Sequence, residues 1–227
     1  MWVRLHHCII AILFVCGLLG CATESYRTIE PPKVTSAGTA YHGPKRTLVV
    51  GKFDNRSTYM RGLFAGGVDR LSSQAKTILI NHLQQTGRFN LVDRDNLQEI
   101  AQEAKIKGVQ QNLIGADFAV TGDVVEFGRK VTGDRELFGI LGSGKTQVAY
   151  GKVALNIIDV TTSEVTHAVQ GSGEYALSNR EVLGTGGTAG YDSTLNGKVL
   201  DLAIREAVNR LVEDLESGLW GSTTSGH

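Results

Sequence analysis

GDVVEFGRKVTGDRELFGILGSGKTQVAYGKVALNIID, residues 122–159, is the stretch whose reading decides the fold. At its centre, Gly139 to Thr146 reads GILGSGKT and satisfies the phosphate-loop pattern G-x-x-x-x-G-K-[ST]. A working phosphate loop follows a buried strand and opens a helix, because the helix N-terminus supplies the anion site. Here Lys145 is followed by TQVAYGKVALNII, which is rich in β-branched residues, contains Gly151 and predicts a strand. Leu155 to Asp159 has the look of an acidic magnesium strand but follows too soon for a helix to lie between. The stretch therefore reads as two strands joined by a turn between Phe138 and Gly144. Gly139, Gly142 and Gly144 are the candidate tip residues, because glycine allows the positive φ of tight bends.

The compartment supports the same reading. Met1 to His7 carries Arg4, and Cys8 to Leu19 is apolar throughout except for Gly17. That is the form of a signal peptide, too short for a membrane-spanning helix. It ends in Leu18-Leu19-Gly20-Cys21, a lipobox-like sequence. We expect residues 1–20 to be removed and Cys21 to be acylated. Ala22 follows in place of an aspartate, which in a Gram-negative cell points to the outer membrane, with the main domain in the periplasm. An exported protein meets no nucleoside triphosphate pool. Cys8 and Cys16 leave with the signal, so no intramolecular disulfide is expected.

Lysine plus arginine and aspartate plus glutamate both number 23, with no basic block, so nucleic acid is not an expected partner. Residues 21–46 are polar and broken by Pro31-Pro32, Gly38 and Gly43-Pro44, and read as a lipid anchor and tether. Residues 47–220 are expected to form one domain and residues 221–227 a flexible tail.

Within that domain, Thr47 to Phe53 reads as a strand and Asp54 to Gly67 as a glycine-rich loop holding Tyr59, Met60 and Phe64. Val68, Leu71, Ala75, Ile78, Leu79 and Leu83 recur at helical spacing, with Gly87 as the stop. Arg88 to Asp93 alternates as a second strand. Asp93 or Asp95 is the expected cap of a short helix with an apolar side of Leu97, Ile100, Ala101 and Ala104, ended by Gly108. Val199, Leu200, Ala203, Ile204, Ala207, Val208, Leu211 and Leu215 predict a closing helix that Gly218 stops before Leu219-Trp220. The whole predicts an α+β fold, a mixed sheet flanked by helices.

Nothing in this pattern predicts catalysis. The glycine run from Gly184 to Gly190 approaches a dinucleotide motif but has no βαβ unit around it. His42, His82 and His167 are scattered, and no carboxylate pair sits near a histidine at a telling spacing. We expect no enzyme, no cofactor and no metal.

Two long β-hairpins are expected, one from Val124 to Ile158 and one from Val165 to about Ser193, the second with tip candidates Gly184 and Gly186. A membrane-crossing strand needs roughly 9–11 residues, so the first hairpin is long enough to cross twice. In the second, Val165, Val169, Tyr175 and Leu177 alternate with Thr166, Gln170, Ser172, Glu174 and Ser178, as a barrel strand does between lipid and water. Arg129, Lys130 and Arg135 interrupt the apolar band of the first, and the same segments also read as solvent-exposed hairpins of a soluble domain. A pore would need several protomers side by side, since two hairpins cannot close a barrel.

The order of segments resembles the curli production assembly/transport family, the CsgG and HfaB lipoproteins, over nearly all of the domain. The residues carrying the likeness are Leu18 to Cys21, Val49 to Asp54, Gly87-Arg88-Phe89, Asp93 to Gln98, Gly115-Ala116-Asp117, Gly122, Ile158 to Glu164, Gly190-Tyr191 and Gly218 to Trp220. The resemblance implies a lipid-anchored, homo-oligomeric outer-membrane ring to which each copy lends two transmembrane hairpins. It implies a nucleotide-independent channel for secreted unfolded subunits, with accessory lipoproteins as further partners. By position, the channel constriction would fall on Tyr59, Met60, Phe64, Gly66 and Gly67. The alternative is a periplasmic scaffold lipoprotein that binds another envelope protein and makes no pore.

Overall fold

The computed structural model describes residues 30–59, 70–135, 143–181 and 195–221. The elements are β1 (Arg46–Asn55), α1 (Arg70–Thr86), β2 (Phe89–Val92), α2 (Leu97–Lys107), β3 (Phe118–Arg135), β4 (Ser143–Asp159), β5 (Val165–Glu181) and α3 (Leu195–Glu216). One mixed sheet runs in the order β2-β1-β3-β4-β5. β1 is parallel to β2 and β3, whereas β3, β4 and β5 form an antiparallel meander. The fold is α+β, as the sequence predicted.

Period-two alternation explains how the sheet holds its helices. Leu48 and Val50 of β1, Phe118, Val120 and Val124 of β3, and Val153, Leu155 and Ile157 of β4 are all buried. On β5 the buried positions are Val169 and Gly171. α1 packs on β1 and β2, α3 on β4 and β5, and the helices pack on each other. Every apolar position predicted for α3, from Val199 to Leu215, is buried, and Gly218 takes the left-handed φ of 75° that ends the helix. Trp220 then turns back into the core, lying 6.0 Å from Phe89, 5.8 Å from Phe118 and 6.1 Å from His167 between ring centroids. Its indole N–H donates to the Leu211 carbonyl.

Two readings change. First, part of the expected tether is docked. Val34 is 3% exposed within the core, its N–H donates to Gln85 and that of Thr35 donates to Asn209. Second, neither Asp93 nor Asp95 sits at the N-cap of α2. That position is Asn96, which makes no side-chain cap bond, while the Asp93 carboxylate accepts from the Asp95 and Asn96 N–H groups just before it. α2 keeps Leu97 and Ala104 half-buried and leaves its other residues exposed.

The segment expected as the first arm of a second hairpin, from Val165 on, is the third strand of the meander. It pairs with β4 from Val165↔Ile158 to Glu181↔Ser143. Gly171 and Gly173 let α3 approach β5 at backbone distance. A Cβ on Gly173 would lie 2.7 Å from the Leu202 Cβ and 3.0 Å from the Ala203 nitrogen. The face that alternates apolar and glycine is covered by the protein's own helix. The return arm, 182–194, lies outside the described residues.

Candidate functional site

The phosphate-loop pattern resolves into strand geometry where it is described. Gly144 is no turn residue: it lies in β4 opposite Asp134, and Lys145 and Thr146 follow it opposite Gly133 and Thr132. A phosphate loop needs a helix at this point, and a strand offers no converging N–H groups. Gly139 and Gly142, like Gly184 and Gly186, lie outside the described residues. So does Cys21. Of the expected constriction, only Tyr59 is described. Its ring sits 5.0 Å from that of Phe127, tilted by 59° against the edge of the core. Met60, Phe64, Gly66 and Gly67 lie outside.

Among the described residues no group of three or more His, Cys, Asp or Glu side chains converges as a metal site. The two histidine–carboxylate pairs tie elements together. His82 Nε2 lies 2.9 Å from Asp201, joining α1 to α3, and His167 Nε2 lies 2.8 Å from Asp214, joining β5 to α3.

What the structure does build is an anchoring arrangement and a projection. The anchoring arrangement centres on Arg88, which is 4% exposed between α1 and β2. A buried guanidinium requires partners for its fork of donors. Nε and Nη2 donate to one Glu216 oxygen at 2.9 and 2.7 Å. Nη1 donates to the carbonyls of Ser36, Thr39 and Thr86, and Nη2 also to the Thr39 hydroxyl. The Tyr41 ring lies over the same guanidinium, 5.2 Å from it. Arg88 thus clamps residues 36–41 onto the end of α3. The sequence showed no sign of it, since most of its acceptors are backbone carbonyls.

From that clamp the chain can be followed back along α3 to Lys33. This residue lines an open cleft of about 470 Å³ with Ser172, Gly173 and Glu174 of β5 and with Leu202, Arg205 and Glu206 of α3. The docked segment therefore leaves the domain near the middle of β5.

The projection is the distal part of the β3–β4–β5 meander. α3 begins at Leu195, and Asn196 accepts a hydrogen bond from Arg129 Nε at 2.8 Å. Beyond this level the three strands continue as a finger to the row Arg135↔Ser143↔Glu181. Rows of paired residues alternate between the two faces of a sheet. One set reads Arg129-Ala149-Tyr175, Val131-Gln147-Leu177, Gly133-Lys145-Asn179 and Arg135-Ser143-Glu181. The other reads Lys130-Val148-Ala176, Thr132-Thr146-Ser178 and Asp134-Gly144-Arg180.

A protein of Neisseria meningitidis serogroup B named as a candidate lipoprotein, NMB1126/NMB1164, is 62% identical over 204 residues, covering 90% of this chain and 92% of its own. Solved structures are more distant. The PelC dodecamer of Paraburkholderia phytofirmans is 14% identical with a TM-score of 0.34, over 81% of this chain and 95% of that one. Lipoprotein GNA1162 of N. meningitidis is 12% identical with a TM-score of 0.37, over 77% and 99%. The family model described as curli production assembly/transport component CsgG matches residues 33–225, from the docked segment through the finger to the end of α3, and the chain belongs to that family.

Proposed function

We propose that this chain is an envelope lipoprotein, held at the outer membrane by acylated Cys21, whose periplasmic domain is a non-enzymatic scaffold for another envelope protein. The observation that supports the scaffold over a pore is the composition of the finger. A barrel strand presents lipid with an apolar band about 25 Å tall. The strands of the finger carry Lys130, Asp134, Arg135, Lys145, Arg180 and Glu181 in their sequence, where such a band would need apolar residues. A charge facing the bilayer midplane of a barrel costs about 2–4 kcal/mol for Arg or Lys, and several per protomer would have to be borne.

Membership of the family supports a second reading, an oligomeric, nucleotide-independent channel of the curli-export type with hairpins completing a shared barrel. Two measurements on full-length lipidated protein separate the readings. The scaffold predicts no conductance in planar bilayers and no cleavage near Gly142 by protease added outside intact cells. Discrete conductance steps together with external cleavage would replace the scaffold by the channel.

A further inference from the structure

Val34, the residue that seats the docked segment in the core, donates its N–H to Gln85 Oε1 at 3.3 Å. A backbone N–H can only donate, so this contact decides which end of the Gln85 amide faces it: the oxygen. The same oxygen lies 3.4 Å from His82 Nδ1, one turn back on α1. The other ring nitrogen, Nε2, faces the Asp201 carboxylate of α3 at 2.9 Å. His82 is 2% exposed, so its ring depends on these two partners. Both nitrogens thus face acceptors, and an imidazole satisfies two acceptors only with a proton on each nitrogen.

Loss of one proton has a definite consequence. Nε2 keeps its hydrogen, because a bare nitrogen against a carboxylate would leave two acceptors face to face. Nδ1 then becomes an acceptor, and the Gln85 amide gains a hydrogen bond by turning its NH2 group to the ring. That turn sets NH2 against the Val34 N–H, donor against donor, and the bond to the docked segment is lost. Both bonds to Oε1 are long, so little opposes the turn. From Thr77 to Thr86, α1 carries no charged side chain besides His82 itself. α3 brings Asp201 and, one turn on, Arg205, the docked segment brings Lys33, and Arg88 is directed at Glu216. Side chains of these types titrate well away from imidazole, which leaves the His82 ring as the responding group at this contact.

We propose that the Gln85 amide is a pH-sensitive latch on the docked segment, holding Val34 while His82 carries both protons and releasing it when Nδ1 loses its own. Docking supplies an acceptor for the Nδ1 proton, so the docked state favours the charged ring. The latch is therefore closed on the acid side and opens as pH rises through the imidazole range, between about 5 and 8. It acts in a scaffold and in a channel alike, since the chain reaches Val34 from Cys21 in both.

The test is hydrogen exchange of the full-length protein in detergent, read by mass spectrometry in peptides covering Val34 and Thr35. Protection relative to the intrinsic rate at each pH should fall about threefold or more from about pH 5 to about pH 8. Gln85→Glu keeps an acceptor towards Val34 whichever way it turns, and should stay protected at both. Gln85→Leu offers no acceptor and should lose the protection at both. Asp201→Asn removes the charge that favours the doubly protonated ring and should move the fall to lower pH. Equal protection of the parent at the two pH values overturns the proposal, and so does a fall that survives in Gln85→Glu. A fall that Asp201→Asn leaves unmoved, or full protection in Gln85→Leu, overturns it as well. Gln85 and Asp201 are half-buried, and unchanged thermal melting confirms that each variant folds.

Discussion

Gly171 of β5 passes beneath Ala203 of α3 so closely that the Ala203 carbonyl oxygen occupies the place where a Cβ would stand, with the Ala207 backbone beside it. The obstacle is helix backbone and cannot rotate away, unlike the tip of a flexible side chain. Gly171→Ala must therefore push α3 off the sheet. Overpacking of this kind costs about 1–3 kcal/mol and occasionally more. Urea unfolding of purified protein should show the midpoint shifted down at unchanged slope. A loss below about 0.5 kcal/mol would mean that α3 does not lie as described.

The clamp gives a second prediction, about order at the front of the domain. Arg88→Ala removes the donors that Ser36, Thr39, Thr86 and Glu216 use together. Those carbonyls lose their partners while Glu216, near the surface, regains water. We expect a destabilisation of about 2–4 kcal/mol, between the cost of an orphaned buried acceptor and that of a broken buried pair. Limited proteolysis should then cut between Lys33 and Arg46, a region expected to resist cleavage in the parent. Arg88→Lys should rescue only part of this, since an ammonium cannot reproduce the planar fork. Resistance as in the parent would show that Val34 alone holds the segment.

These two sites mark where the sequence was readable and where it was not. The buried stripe of α3 is long and strictly periodic, so pattern alone found it. β5 carries an equally clear alternation, but a period of two says only that one face differs from the other. It does not say whether lipid or a helix covers the apolar one, and Gly171 and Gly173 gain their meaning only once α3 lies across them. Val34 is one apolar residue in a polar, proline-flanked run and leaves no periodic trace. The neighbouring Ser36 and Thr39 are held by Arg88, 52 and 49 residues away in sequence. The apolar side of α2 was also legible, and there Leu97 and Ala104 are half-buried while Ile100 stays exposed. Of the candidate site, Tyr59 proved to rest on Phe127, and Gly144 sits in a strand because β4 begins earlier than the glycine-rich turn suggested.

The acylation proposed for Cys21 can be separated from folding. The domain that holds Arg88 and Val34 begins well after the anchor, so Cys21→Ser should leave its stability unchanged. The variant should leave the membrane fraction and keep the parent's melting temperature within about 1 °C, as expected for substitutions away from packed features. Retention in the membrane fraction after a high-salt wash would argue that protein segments insert, and would favour the channel.

The last prediction concerns the start of α2. The Asp93 carboxylate accepts from the Asn96 side-chain amide at 2.6 Å and from the backbone N–H groups of Asn96 and Asp95 at 3.2 and 2.9 Å. The Asn96 side-chain bond is the main cause holding this carboxyl below the ordinary aspartate value of 3.8, with the Asn96 and Asp95 backbone bonds adding to it. A carboxyl depressed in the folded state stabilises that state above its unfolded value, and the contribution disappears as pH falls through the folded one. The turn before α2 should therefore be intact at neutral pH and loosen only in strong acid. The group is almost fully exposed, so added salt should weaken the effect. In an NMR titration, the Asn96 side-chain amide should shift with a midpoint below 3.8, and Asp93→Asn should abolish that transition. A midpoint at or above 3.8 would show that the three bonds do not persist in solution.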